Sequence, residues 1–281
     1  MRRIGIHLSY WQTAWSDDLL PLIGKASAAG FDLAEFPLLS PASLDYPALR
    51  ARLDALHMAA SCGTGLGPET DITAPDWAVR QAGLQHLRLC LEGAAQLGSP
   101  VLGGVTYAPW GIFPQDDRAD RRRQCIASLK EAGRMAADTG VTLCLEVLNR
   151  FEGYLINTVE QGLALLDEVD SPAIKLHLDT FHMNIEEDDL GAAIRRAGDR
   201  LGHLHLVANN RKIPGQGHIP WKAVRDALHA VDYRGYVVTE TFVNPAGEVG
   251  AGLYIWRPLA EDLDRAAAQA AAYLRQEFAH V

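Results

Sequence analysis

The feature that most constrains this chain is its alternation. Short strand-like runs and longer helical runs follow one another from end to end. Residues 3–9 alternate Ile4, Ile6 and Leu8 and predict a first strand. Further strands are expected at 31–37 (which contains Glu35), 58–63, 100–106, 141–148, 173–178, 201–207 and 235–241. The intervening segments carry apolar residues at three- and four-residue spacing: Leu19, Leu20, Ile23 and Ala26, then Leu49, Leu53 and Leu56, then Leu84, Leu87, Leu91 and Ala94. Ser16 is expected to cap the first helix and Gly30 to end it; NTVE at 157–160 resembles a capping box opening a helix to Glu168. Helices are also expected at 117–139, 190–197 and 221–230, with a terminal one carrying Leu259, Leu263, Ala270, Leu274 and Phe278. Alternation implies a parallel sheet, and eight strand–helix units are the number that closes a barrel. The expectation is an α/β chain, a single-domain (β/α)8 TIM barrel over 1–281. A doubly wound open sheet would want a Gly-rich turn after strand 1, and SYWQTAWS at 9–16 is no such turn.

Composition excludes several classes of partner. The net charge of −9 repels nucleic acid and anionic membranes, and no run approaches the roughly 18 apolar residues of a membrane span. The N-terminal MRRIGIHLSYW lacks an apolar signal core, so a cytoplasmic protein is expected. Cys62, Cys90, Cys125 and Cys144 show no CxxC spacing and are expected as reduced interior or helix residues.

A barrel gathers its chemistry at the C-terminal ends of its strands. There the sequence places Glu146 (strand 5), Asp179 (strand 6), His205 (strand 7) and Glu240 (strand 8). A single such glutamate is ordinarily a hydrogen-bond acceptor, and His203 or His205 alone would suit a satisfied core histidine. Four on successive strands point instead to a functional cluster. Three oxygen donors and one nitrogen suit Mn²⁺, Co²⁺ or Mg²⁺ and are a poor match for structural zinc. In LHLDTFHMN at 176–184, Asp179 is expected to break the strand into a turn bearing Thr180, His182 and Asn184. Arg211 sits in a Pro/Gly-rich loop where Pro214 and Pro220 would hold its guanidinium in one place. Arg118, Arg121, Arg122 and Arg123 alternate with Asp116, Asp117 and Asp120, which favours a solvated charged face over a phosphate site. Trp11, Trp15 and Trp110, in loops after strands 1 and 4, are suited either to stack on sugar rings or to close the barrel mouth.

CLEVLNRFE at 144–152, LDTFHMNIEED at 178–188 and NRKIPGQGHIPW at 210–221 together resemble the ketose 3-epimerases of the xylose-isomerase-like barrels, which act on D-tagatose, D-allulose (psicose) or L-ribulose. The similarity runs from GIHLSYW at 5–11 and GFDLAEF at 30–36 to IWRPL at 255–259. It implies that Glu146, Asp179, His205 and Glu240 hold a divalent metal, Mn²⁺ first and Co²⁺ or Mg²⁺ next. It further implies that Glu152, His182 and Arg211 meet the C1–C3 end of a ketose, with Trp110 and His7 as further sugar contacts. The chain departs from the family pattern at His7 or Leu8, where an aromatic is common, and at Val207 and Ala208, where Gly-Glu is common.

The implied reaction inverts C3 of a free ketose through a cis-enediolate, with Glu146 and Glu240 as base and acid on opposite faces. A small-molecule partner and a homodimer or homotetramer follow from the same resemblance. The competing readings are an aldose–ketose isomerase or keto-sugar dehydratase on the same barrel, a metal-dependent endonuclease, which −9 disfavours, and a non-catalytic sugar-binding barrel.

Overall fold

A computed structural model describes residues 2–280. Among these residues eight parallel strands close into a barrel in sequence order, β1 next to β8. They are β1 (Ile4–His7), β2 (Leu33–Pro37), β3 (Ala59–Leu66), β4 (Val101–Pro109), β5 (Thr142–Glu146), β6 (Ile174–Asp179), β7 (Leu201–His205) and β8 (Val237–Thr239). All eight expected strands are present, and the differences lie at their ends. β3 and β4 run three residues further toward the mouth than the sequence pattern predicts, while β5, β7 and β8 stop short. The shortened strands end where Glu146, His205 and Glu240 leave the ladder, so their side chains and flanking loops are free to shape the rim.

The outer ring contains α1 (Leu20–Ala28), α2 (Tyr46–Ala55), α3 (Trp77–Leu97), α4 (Arg118–Thr139), α5 (Val159–Val169), α6 (Thr180–Glu186), α7 (Leu190–Ala197), α8 (Trp221–Ala230), α9 (Gly247–Gly252) and α10 (Leu263–Phe278). Two capping expectations shift. The first helix is met by Asp18, whose Oδ1 accepts from Leu20 N at 2.9 Å, and Ser16 makes no cap. In NTVE the cap is Thr158, which accepts from Gln161 N; Gln161 Oε1 in turn accepts from Asn157 N, so the reciprocal pair sits one residue later. The segment after Asp179 is the short helix α6, not a turn, and Asp179 caps it through Phe181 N at 2.7 Å. Helix α9 was not expected: GEVGAG has neither apolar periodicity nor a side-chain cap.

The core fills the barrel and its sheath with side chains such as Ile4, Ile6, Leu33, Phe36, Leu143, Leu176 and Leu204, all fully buried. All four cysteines are buried and free, as expected from their spacing. The arginine run is internally paired: Arg121 with Asp71 and Asp116, Arg122 with Glu168, Arg123 with Asp120. Arg121 is largely buried in its pairing, so it ties α4 to the β3 loop and does not lie on a solvated face. Among the described residues no helix is long and apolar enough to cross a membrane.

Gly104 on β4 has φ +99°, and a Cβ there would sit 2.1 Å from Thr64 O on β3. Gly104→Val is therefore expected to lower stability by at least about 2 kcal/mol, read as a lower urea midpoint at unchanged slope.

Candidate active site

The parallel register sets the rim. Glu146 pairs with His177, Asp179 with His205, and His205 with Val238, so strands 5 to 8 deliver their ends at one level. Glu146, Asp179, His205 and Glu240 each offer a ligand atom, and these atoms lie within 4.8 Å of one another. Glu146 Oε1 and His205 Nδ1 are buried without any hydrogen-bond partner, and Nδ1 lies 3.8 Å from Glu240 Oε2. Buried polar atoms ordinarily find partners, so two orphaned donor atoms facing one point, among three carboxylates, fit a hard divalent cation.

Charge in this cluster is unbalanced. Burial, then the nearby Glu240, pushes the Glu146 carboxyl well above the usual range. Burial also raises Glu240, to about 7, against the opposing pull of His205 and Arg211. For His205, burial alone would favour the neutral ring, but Glu35, Glu240 and Glu146 outweigh it and raise it to about 10.

Arg211 is the counter-charge. Its guanidinium approaches Glu240 at 3.3 Å, Asp179 at 3.4 Å and Glu152 at 3.5 Å, and its central carbon lies 3.9 Å from the centroid of the Phe181 ring. The residue is 8% exposed and its backbone is left-handed, φ 62°, a conformation a long side chain adopts only when its surroundings impose it. Phe242 N donates to Arg211 O, and the Phe242 ring covers the guanidinium on another side. The guanidinium is thus packed between aromatic rings and carboxylates.

His182, three residues past Asp179, stands beside the quartet without belonging to it. Its Nδ1 accepts from Asn149 Nδ2 at 2.7 Å, which leaves Nε2 to carry the proton 3.7 Å from Glu146 Oε1. Burial lowers it to about 4, so the ring is a neutral donor. Glu152 accepts from Asn149 Nδ2 at 2.9 Å and from Trp110 Nε1 at 3.1 Å. Burial pushes Glu152 upward, but Arg211 and His182 outweigh it and hold the carboxylate ionised. His7 accepts or donates through Nδ1 to Ser9 Oγ at 2.7 Å, and burial lowers its ring to about 4.

A cavity of about 400 Å³ at the C-terminal mouth is lined by His7, Trp110, Glu146, Glu152, His182, His205, Arg211 and Glu240, while Asp179 lies beneath them, fully buried. Trp15 joins this lining; Trp11 does not, since its Nε1 donates to Asp264 at 2.7 Å and fastens β1 to α10. At the departures from the family pattern, Val207 and Ala208 are both buried, and the Val207 backbone exchanges two hydrogen bonds with Thr180 Oγ1.

Residues 23–276 match the family described as xylose isomerase-like TIM barrel. The chain is 38% identical over 266 residues to the D-psicose 3-epimerase of Ruminiclostridium cellulolyticum, covering 92% of this chain and 90% of that one. It is 35% identical over 279 residues to the L-ribulose 3-epimerase of Methylomonas sp., covering 98% and 97%. A crystal structure of a D-psicose 3-epimerase in the presence of D-fructose superimposes with a TM-score of 0.93 at 34% identity, over 99% of each chain. The chain belongs to the ketose 3-epimerases of the xylose isomerase-like barrels. It is accordingly an isomerase, and its cluster of three carboxylates and an imidazole is a possible metal-binding group.

Sequence reasoning passed over three residues of this ketose 3-epimerase site. Asn149 and Phe181 orient His182 and Arg211 from within the quoted motifs. Glu35 was noted only as part of a strand, yet it is fully enclosed and bonded to two histidines. An acid among Leu33, Ala34 and Phe36 was the available signal, because a buried charge needs a partner.

The raised affinity of Glu146, Glu240 and His205 for protons means that the ion-free site holds protons that a divalent cation must displace. Mn²⁺ uptake near pH 7 is therefore expected to release protons and to tighten as pH rises from 6 to 8. Calorimetric titrations in buffers of different ionisation enthalpy check both, and pH-independent uptake would contradict the assignment.

Proposed function

We propose that this chain inverts C3 of a free ketose by proton transfer between Glu146 and Glu240, with Glu146, Asp179, His205 and Glu240 holding a divalent ion, Mn²⁺ in preference to Co²⁺ or Mg²⁺. The observation that carries the reading is a pair of carboxylates, Glu146 buried and Glu240 partly so, both with raised proton affinity and both lining one sugar-sized cavity. Inversion needs a group that takes the C3 proton on one face and a group that returns one on the other. Glu240, raised to about 7, and Glu146, raised well above the usual range, can divide those roles between an ionised and a protonated carboxyl, and exchange them when the direction reverses. A bound divalent ion would supply Lewis-acid polarisation next to the proton being removed.

The remaining residues bind and orient. Glu152 and Arg211 form one polar wall suited to the hydroxyls at the C1 end, fixed to each other at 3.5 Å and to Trp110 and Asn149. His182, with its proton on Nε2, is placed to donate to the oxygen on C2 as negative charge develops there. His7 and Trp110 also line the cavity, Trp110 beside Glu152, and are offered as further sugar contacts. The named relatives act on D-psicose and L-ribulose, and D-fructose/D-allulose, D-tagatose/D-sorbose and L-ribulose/L-xylulose pairs are the substrates to be tried. We take residues 1–281 as one domain and expect a homodimer or homotetramer, for which exposed Phe151 and Trp256 supply apolar surface.

Glu146→Gln and Glu240→Gln are each expected to lower turnover by about 10²–10⁴-fold while the circular dichroism of the barrel is unchanged. Turnover in D₂O should place deuterium at C3 of recovered sugar. A product whose carbonyl has moved identifies an aldose–ketose isomerase, and loss of water identifies a dehydratase. Chelation should abolish activity and Mn²⁺ restore it; full activity without metal would refute the ligand set.

A further inference from the structure

Beneath the rim, Glu35 reaches across the barrel from β2 to β7, two strands that share no edge. Its Oε1 lies 2.5 Å from His205 Nε2 and its Oε2 lies 2.6 Å from His203 Nε2. The carboxylate is 1% exposed, and each of its two oxygens meets one imidazole nitrogen. A carboxylate with one oxygen on each ring accepts from both, so both histidines present a proton on Nε2. For His205 this leaves Nδ1 as the atom turned toward Glu240 and Glu146, and that atom is the one without a partner.

The surroundings keep the His205 ring in this orientation. His177 packs edge-on against it at 4.1 Å between centroids, and against His203 at 4.7 Å. His177 is itself oriented by Gly104 N, which donates to its Nδ1 at 3.2 Å. Gly103 leaves the room: a Cβ there would stand 3.0 Å from His177 Nδ1 and 3.2 Å from His203 Cδ2. A carboxylate serving only to neutralise a buried histidine would need one partner, whereas this one spans the barrel to fix two.

We infer that Glu35 is a positioning residue for the metal centre, holding the proton of His205 on Nε2 so that Nδ1 faces the ion. The inference rests on the proposed metal-dependent epimerase. Carboxylates behind ligating histidines typically contribute 10–100-fold in metal affinity. In Glu35→Gln the amide offers one acceptor and one donor, so one of the two histidines loses its acceptor and must turn or change tautomer.

Mn²⁺ binding to the wild-type chain and to Glu35→Gln, measured by calorimetry, decides the matter, with the ion-free melting temperature recorded for each. The expected result is a loss of about 10–100-fold in Mn²⁺ affinity from a variant that is folded without the ion, partly recovered in Glu35→Asp. Equal affinities, with or without a lowered melting temperature, would show a structural carboxylate and overturn the inference alone. A wild-type chain that takes up no Mn²⁺ overturns the metal centre and the inference with it. If Glu35→Gln does not fold, ¹⁵N-histidine spectra of the wild-type chain loaded with diamagnetic Zn²⁺ give the same decision. A protonated Nε2 and a metal-shifted Nδ1 on His205 support the inference, and the reverse pattern overturns it.

Discussion

The interaction on which this site depends is the repulsion among carboxylates packed at the barrel mouth, two of them buried and two partly so. Glu146, Asp179 and Glu240 converge within 4.8 Å, with Glu152 close by, and the Arg211 guanidinium and the His205 ring stand against them. Two like charges about 4 Å apart repel by roughly 4 kcal/mol at an effective dielectric near 20. Arg211 touches three of the four acids and still leaves Glu146 with an oxygen that nothing meets. The excess negative charge is relieved by protons or by a cation, and both are what an acid–base enzyme with a divalent ion requires.

The barrel makes such a cluster tolerable because its rigidity is supplied elsewhere. Below the rim the strands are closed by parallel pairing and filled with aliphatic side chains, so the ends can carry groups that repel one another without the sheet parting. The strain that the site does show is local: a left-handed Arg211 clamped by Phe181 and Phe242. Between the apolar interior and the rim lies a layer of Glu35, His177 and His203, which connects opposite walls by hydrogen bonds and ring contacts. Orientation of the rim groups thus comes from a polar layer, part of which, Glu35 and His177, also lines the cavity.

Much of this was legible in the chain. Eight strand–helix units imply a closed parallel barrel, and the strand-end rule alone selects Glu146, Asp179, His205 and Glu240 from among thirty-five acids and ten histidines. The separation within LHLDTFHMN was also accessible, since His205 joins Asp179 in the possible metal-binding group while His182 pairs with Asn149. Less accessible were the helix α6 that follows Asp179 and the helix α9 after β8, because neither has apolar periodicity strong enough to announce itself. Capping was misplaced at Ser16 and by one residue at Asn157, where adjacent polar side chains compete for the same backbone donors.

By itself, the sequence determined the order of elements, the closure of the barrel and which side chains stand at the strand ends, because hydrophobic period and strand count are local properties that topology converts into position. Only the tertiary structure decided which of those side chains face one another. Glu35 and His205 are 170 residues apart and on strands that share no edge, so no spacing or period links them. Their contact exists because closing the barrel brings distant strands within the length of two side chains, and that contact sets which nitrogen of His205 is left unpartnered.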